Sequence, residues 1–311
     1  MRAIVALAVI VAAAFVAGVA QGVTAAVTNG PILFDNFDST TKTLDIYSIG
    51  AGGSGLKNLT NSSGSDESEP AASPNGKQIA FLSNRGGSTF HLSVMTSSGG
   101  GARTLAAGGV AQAAPAWSPN GRLIAYSRCT AIDPDGGQCT RAQIALIGAN
   151  GRGVKVLSKA AAGAVDSRPV WAPNGKSLVF QRTDAAGAVT LWTLNATGKS
   201  QRRIVNDGSD IDLNPAYLPN GKQIVYASDS GGHEALWTVA PNGRNRKVLL
   251  AETHDPADPT TGAGTEKPAV SPNGKLIVYT SAGDLWTVAI TGKGAKRLTT
   301  DGGDEATWAR G

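Results

Sequence analysis

Short apolar runs alternate with polar, glycine-rich stretches along most of the chain, and one pattern of such runs occurs five times. Each copy begins with a triplet between two prolines, passes through the turn Pro-Asn-Gly and enters a run such as "IAFLS" or "IVYTS". A second run, of which "LWTV" is an example, and a short basic and apolar run such as "KRLT" follow. Runs of this length bounded by Gly and Pro are typical of β-strands. Each copy therefore predicts four strands joined by hairpin connections.

The Pro-Asn-Gly turn stands at the same place in every copy. Its prolines are Pro74, Pro119, Pro173, Pro219 and Pro272, at intervals of 45, 54, 46 and 53 residues. Pro sets φ for the first central position of a type I turn, Asn suits the second, and Gly takes the left-handed position that closes a bulged hairpin. The turn thus predicts the link between the first and second strands of each copy. Because no helical pattern follows it, it is not a phosphate-binding loop.

A sixth copy is divided between the two ends of the sequence. The N-terminal part supplies "ILFDN", "LDIYSI" and "LKNLT" but lacks a first strand, which "DEATWAR" at residues 304–310 resembles. Pairing the two parts in one sheet closes a ring of strands and removes its open edge. The sequence therefore predicts an all-β fold. We expect a six-bladed β-propeller with four antiparallel strands per blade, the first blade closed by the N- and C-terminal strands.

The motif Pro-Ala-Trp-Ser-Pro-Asn-Gly-x-x-Ile-Ala-Tyr at residues 115–126, with its later Leu-Trp-Thr and Arg-Leu-Thr runs, resembles the TolB-like β-propeller repeat, a WD-like repeat family. The resemblance covers nearly all of residues 30–311. That family more often has Asp at the position of Asn in the turn, and both residues suit a turn. TolB itself also has an N-terminal α/β domain, for which we expect no counterpart in this sequence. The resemblance implies a propeller that binds a protein or peptide.

Residues 1–26 have the form of a secretory signal peptide. Arg2 precedes an apolar run from Ala3 to Ala20, and small residues follow it, as in the charged, apolar and cleavage regions of such signals. The apolar run is also long enough to remain as an N-terminal membrane anchor. We therefore expect a single β-propeller domain over residues 27–311, located in the periplasm, at the cell surface or in the medium.

The two cysteines, Cys129 and Cys139, lie in the stretch "CTAIDPDGGQC". Their proximity within one predicted hairpin loop indicates a disulfide, which forms in the oxidising compartments reached by export. Two free thiols are the alternative.

The formal net charge of +5 does not indicate a nucleic-acid-binding protein, because many basic residues fall on the fourth predicted strand of each copy. Lys and Arg on an outer edge strand discourage pairing with other chains. These residues are Arg103, Lys155, Arg202, Arg203, Arg246, Lys247, Lys296 and Arg297. We expect no nucleic-acid partner.

Acidic residues gather at the start of the first predicted strands, at Glu67, Asp166, Asp212, Glu266 and Asp304. Since the first strand of a propeller blade lines the central channel, these carboxylates are expected to ring one mouth of the channel. They would attract cations or a basic segment of a partner. The alternative is that they bond nearby backbone N–H groups.

His233 and His254 fall in connections on the same predicted face, near the long stretches 129–141 and 251–266. Loops on a rigid scaffold often carry binding residues, but no fixed metal-ligand spacing joins the two histidines. There is also no Gly-x-Ser-x-Gly nucleophile elbow. We predict an exported, non-enzymatic, monomeric propeller without a cofactor or metal, which binds a protein or peptide that is basic. The alternative is a carbohydrate-active or lyase-type propeller with a weak metal site near His233 and His254.

Overall fold

The computed structural model describes residues 27–105, 115–133, 139–205, 211–230, 234–251 and 265–311, which form strands and turns. Within these ranges there is no helix with the length and apolar character needed to cross a membrane. The first twelve strands are β1 (Asn29–Asp38), β2 (Thr43–Ile49), β3 (Lys57–Asn58), β4 (Glu67–Ala72), β5 (Gln78–Ser83), β6 (His91–Thr96), β7 (Arg103–Thr104), β8 (Ala116–Trp117), β9 (Leu123–Ile132), β10 (Cys139–Gly148), β11 (Lys155–Val156) and β12 (Val165–Trp171). The other twelve are β13 (Ser177–Thr183), β14 (Val189–Asn195), β15 (Arg202–Arg203), β16 (Asp212–Tyr217), β17 (Ile224–Ser228), β18 (Ala235–Val239), β19 (Lys247–Ala251), β20 (Glu266–Val270), β21 (Leu276–Ser281), β22 (Asp284–Ala289), β23 (Lys296–Arg297) and β24 (Asp304–Arg310).

Most described strands pair in antiparallel fashion, which confirms the predicted all-β class. From here on, a run means the four strands of one repeat, counted from its first strand to its fourth. Four separate sheets have the orders β24-β1-β2-β3, β4-β5-β6-β7, β16-β17-β18-β19 and β20-β21-β22-β23. Strands β8 to β15 form one larger sheet, in which β10 and β12 meet in parallel at Ala142 and Val165. The N-terminal and C-terminal segments pair as predicted, with Trp308 of β24 opposite Ile32 of β1.

The Pro-Asn-Gly turns have the predicted geometry. In each turn Gly has φ between 67° and 69°, and in the first turn Gly76 N donates to Ser73 O at 2.9 Å. The Asn75 side chain also accepts a hydrogen bond from Lys77 N at 3.1 Å, and the other four turns repeat this contact. Pro and Asn therefore preset the hairpin, and only Gly takes the left-handed position without strain.

The predicted disulfide is present between Cys129 and Cys139. It joins the end of β9 to the start of β10. Cross-linking these two residues fastens the hairpin beside its connecting loop and limits the freedom of the unfolded chain.

Tryptophans on the first strands connect neighbouring runs. Trp117 Nε1 donates to the carbonyl oxygen of Ala71 at 3.1 Å, and Trp171 Nε1 donates to that of Ala116 at 3.2 Å. Trp308 makes the same contact with the carbonyl of the preceding first strand at 3.0 Å. Each indole thus fills the junction between two runs and satisfies a backbone carbonyl there.

We expect Trp171→Phe to lower the free energy of unfolding by about 1 kcal/mol more than Trp286→Phe does. Both substitutions shorten an aromatic side chain, but only Trp171→Phe removes a hydrogen bond from an indole to a backbone carbonyl. The Trp286 Nε1 atom is buried and finds no acceptor among the described residues. Urea unfolding of both variants at one pH measures the difference, and equal losses would contradict a stabilising role for the indole contact.

Candidate functional site

Six strands, β4, β8, β12, β16, β20 and β24, supply most of the lining of a cavity of about 400 Å³, here called the central cavity. Its wall includes small side chains such as Ala71 and Ala216, and the aromatic rings of Trp117, Trp171 and Trp308. The lining extends from the prolines of the Pro-Asn-Gly turns, the turn end, to charged side chains at the opposite loop end. The loop end is where the second and third strands of each run join.

The first strands share a β-bulge near the loop end. In β4 the register with β5 shifts between Ser68 and Ala71, and β12, β16, β20 and β24 have equivalent shifts. A non-glycine residue with φ between 48° and 53° lies in each bulge. These residues are Glu69, Arg168, Asn214, Lys267 and Glu305. Bulges redirect side chains, and all five line the central cavity.

The bulges also release backbone N–H groups from the strand ladder. Glu69 N donates to Asp35 Oδ2 at 2.8 Å, and Asn214 N donates to Gln181 Oε1 at 3.1 Å. Both acceptors are buried and lie on the second strand of the preceding run, β1 or β13. A buried N–H without an acceptor is costly. The side chains of Asp35 and Gln181 therefore support the strained backbone and connect adjacent runs.

Four of the redirected side chains, with Asp35 and Asp304, form a charged cluster. Its members are Asp35, Glu69, Arg168, Lys267, Asp304 and Glu305. Arg168 forms a two-pronged ion pair with Glu305, and its Nη2 atom lies 3.5 Å from Glu69 Oε1. Lys267 Nζ lies 3.1 Å from Glu305 Oε1 and contacts Asp304 as well. Four carboxyl groups thus share two cationic side chains, so the cluster has an excess of acidic groups.

Burial and mutual repulsion shift the acidity of the cluster. Burial, followed by the charge of Glu305, raises the pKa of Asp35 from 3.8 to about 7. Burial also raises the pKa of Glu69 above its ordinary value, despite the opposing charge of Arg168. The pKa of Glu305 is lowered, because Arg168 and Lys267 together outweigh the effect of burial. Desolvation therefore favours a neutral Glu69, and ion pairing favours an ionised Glu305.

Glu67, predicted at the channel mouth, is fully buried within its own run. It accepts hydrogen bonds from Ser65 Oγ at 2.9 Å and Ser83 Oγ at 3.0 Å, and it lies 3.2 Å from Arg85 Nη2. These contacts match the alternative of local bonding, although the donors are side chains. A role of Glu67 in binding a partner stays a prediction.

Asp166 and Asp212 are also fully buried. Asp166 accepts a hydrogen bond from Arg182 Nη2 at 2.8 Å, and Asp212 lies 3.9 Å from Arg246 Nη2. Both guanidinium groups in turn stack on tryptophan rings of the third strands, Arg246 at 4.2 Å from the ring of Trp237. The two carboxylates thus orient arginines inside the runs, and their part in binding stays a prediction.

Glu266 and Asp304 occupy a different repeat position from these three carboxylates. Each stands one residue before the left-handed residue, whereas Glu67 stands two residues before it. Successive strand residues point to opposite faces, so the five predicted carboxylates do not form one ring. Asp304 joins the charged cluster and keeps 42% of its side chain exposed.

His233 and His254 lie outside the described residues. In the part of the chain that the structure describes, no group of three or more His, Cys, Asp or Glu side chains is placed to hold a metal ion.

Sequence reasoning did not single out Arg168, Lys267 or Asp35. A signal was present for the first two, because they stand immediately before the first proline of their repeats, at Pro169 and Pro268. No comparable sequence feature identifies Asp35, because its role depends on the bulge at Glu69 in the neighbouring run.

The model of the TolB β-propeller domain family matches residues 37–212, which is more than half of the chain. The chain belongs to this family. The resemblance of its repeats to the TolB-like propeller is thereby confirmed.

Two curated proteins match parts of the chain. The chain is 25% identical over 232 residues to tricorn protease homolog 1 of Streptomyces coelicolor, covering 70% of this chain and 19% of that protein. It is 37% identical over 67 residues to the Tol-Pal system protein TolB of Nitrosospira multiformis, covering 22% of this chain and 15% of that protein. The chain thus spans less than a fifth of the curated relatives it matches.

Among solved structures, TolB from Acinetobacter baumannii aligns with a TM-score of 0.71 at 20% identity, over 90% of this chain and 66% of that one. Identity at this level shows a shared fold, and function has to be argued from the site.

We expect the stability of the protein to fall as the pH rises from about 5 to 8. Asp35 and Glu69 have raised pKa values in the folded state, so the folded state binds more protons than the unfolded state in this range. The stability they contribute is present at low pH and is lost as the pH rises through the folded-state values.

Glu69→Gln is expected to flatten this dependence and to exceed the native chain in stability at pH 8.5 by about 2 kcal/mol. Denaturant unfolding between pH 5 and 8.5 measures both profiles. Glu266→Gln is the matched control, because Glu266 directly precedes Lys267 in β20. If the stability of Glu69→Gln changes with pH in the same way as that of the native chain, Glu69 is not a source of the pH dependence.

Proposed function

We propose that the chain is a six-bladed β-propeller of four-stranded blades over residues 27–311. Six first strands around one cavity support this count, and each of them heads a run of four. The pairing of β24 with β1 would close the ring in the first blade. Residues 1–26, which lie outside the described residues, would direct export as a signal peptide or anchor.

The function that the geometry supports best is that of a non-enzymatic scaffold which binds a protein or peptide in the periplasm, at the cell surface or outside the cell. The Cys129–Cys139 disulfide supports export, because such bonds persist in oxidising compartments. Membership of the TolB β-propeller family supports a protein partner.

The observation that carries this proposal is a set of exposed apolar side chains at the loop end. Phe37, Ile132 and Ile211 are 54%, 50% and 40% exposed. They stand near the end of β1, at the end of β9 and just before β16, which all lie at the loop end. Contiguous exposed apolar surface marks protein interaction sites, and we propose that these three side chains contribute to one such surface at the loop end. Asp304, exposed at the same end, would favour a partner with basic groups.

The test is affinity capture from an envelope extract of the organism that encodes the chain. The full chain, Phe37→Ser/Ile132→Ser and Leu56→Ser serve as baits. Leu56 is 60% exposed and precedes β3 at the turn end, so it controls for the loss of an exposed apolar side chain. We expect one discrete partner on the native chain and Leu56→Ser, and about a hundredfold loss on the double variant, since each buried side chain contributes about 1–2 kcal/mol.

Equal retention by all three baits, or capture of no discrete protein, would overturn the loop-end assignment. A lyase-type propeller would instead lose a measurable activity on chelation, and His233→Ala/His254→Ala would reproduce that loss. This alternative stays a prediction.

A further inference from the structure

The central cavity combines an apolar wall with a charged floor. The first strands contribute Ala71, Ala216 and the indoles of Trp117 and Trp171 to the wall, and Glu69, Arg168, Lys267 and Glu305 to the floor. The side chains of Glu69 and Glu305 are each 13% exposed. At the turn end Pro119, Pro173 and Pro219 are exposed to solvent. A ligand would therefore enter from the turn end and meet the charged floor at its tip.

The cations of the floor leave Glu69 incompletely paired. Arg168 and Lys267 are both engaged with Glu305, and Glu69 receives only the longer contact of 3.5 Å from Arg168. The second carboxylate oxygen of Glu69, Oε2, is buried, and no described residue donates a hydrogen bond to it. An unpaired carboxylate oxygen in an enclosed site is costly unless a cation or donor reaches it.

We propose that the central cavity binds a primary alkylammonium group, whose ammonium lies against Glu69 at the floor and whose apolar stem lies along the wall toward the turn end. An ammonium carries three N–H donors and a positive charge, which matches a carboxylate with one oxygen that receives no hydrogen bond. The indoles of Trp117 and Trp171 favour an apolar stem.

The length of the central cavity and the charge at its turn end restrict the class of ligand further. From Glu69 to Pro74 the chain covers at most about 16 Å at roughly 3.3 Å per residue, which accommodates a six-carbon stem. Arg310 also lines the cavity near the turn end, so a second ammonium at the far end of the stem would meet a like charge. The site is thus one for a mono-cation with a linear stem, independent of any partner at the loop end.

The test uses hexylammonium, 1-hexanol, hexanoate and inorganic ammonium as probes on the full chain. Calorimetry gives the affinities, and tryptophan fluorescence reports occupancy of the cavity. At pH 8 hexylammonium is expected to bind about tenfold more tightly than 1-hexanol, the strength of one charge-assisted hydrogen bond. Hexanoate and inorganic ammonium are expected to bind more weakly than hexylammonium.

Glu69→Gln is expected to lower the affinity for hexylammonium about tenfold and to leave that for 1-hexanol unchanged. Glu266→Gln, whose side chain does not line the cavity, is expected to bind as the native chain does. Equal binding of hexylammonium and 1-hexanol, an unchanged affinity in Glu69→Gln, or no binding of any probe would overturn the proposal.

A second measurement on the native chain does not depend on a variant. Asp35, Asp304, Glu305, Arg168 and Lys267 face Glu69 from β1, β24, β12 and β20. Because burial raises the pKa of Glu69 and that of Asp35, binding of the cation is expected to release protons and to strengthen from pH 6 to pH 8. A binding enthalpy that is the same in buffers of different ionisation enthalpy would contradict the pairing with Glu69.

Discussion

The β-bulge near the start of the first strands is the constraint on which the candidate site depends. It holds a non-glycine residue at positive φ in five strands, a conformation that costs on the order of 1 kcal/mol or more at each position. The neighbouring run offsets this cost where Asp35 or Gln181 accepts the N–H that the bulge releases. The same distortion that interrupts the ladder therefore joins adjacent runs and directs charged side chains into the central cavity.

Charge is arranged in two layers with different environments. Glu67, Asp166 and Asp212 lie inside the runs, where arginine side chains approach all three and serine hydroxyl groups also contact Glu67. The charged cluster lies at the central cavity, where four carboxyl groups share Arg168 and Lys267. Buried ion pairs contribute little net stability when desolvation is counted. The carboxylates inside the runs thus orient arginine side chains, while the charged cluster has more acidic than basic side chains.

Much of the fold was predictable because it depends on local chemistry repeated along the chain. Pro74, Asn75 and Gly76 define their hairpin within four residues, and four further copies place the same hairpin at regular intervals. The site was less predictable. A shift of one residue along a strand moves a side chain to the opposite face, and the acidic residues at the strand starts occupy two adjacent positions, of which only the one held by Asp304 reaches the cluster.

The sequence by itself determined the strands, their turns, the Cys129–Cys139 pairing and the match between the N- and C-terminal segments, since each follows from residue preferences over short distances or from a repeat. Only the tertiary structure decided that Glu69, Arg168, Lys267 and Glu305 meet. They are far apart in the chain, and they come together because six first strands surround one cavity and a bulge directs each side chain inward. The ionisation of these carboxyl groups depends on their burial and on their distances from other charges. The spacing of residues along the chain does not specify either.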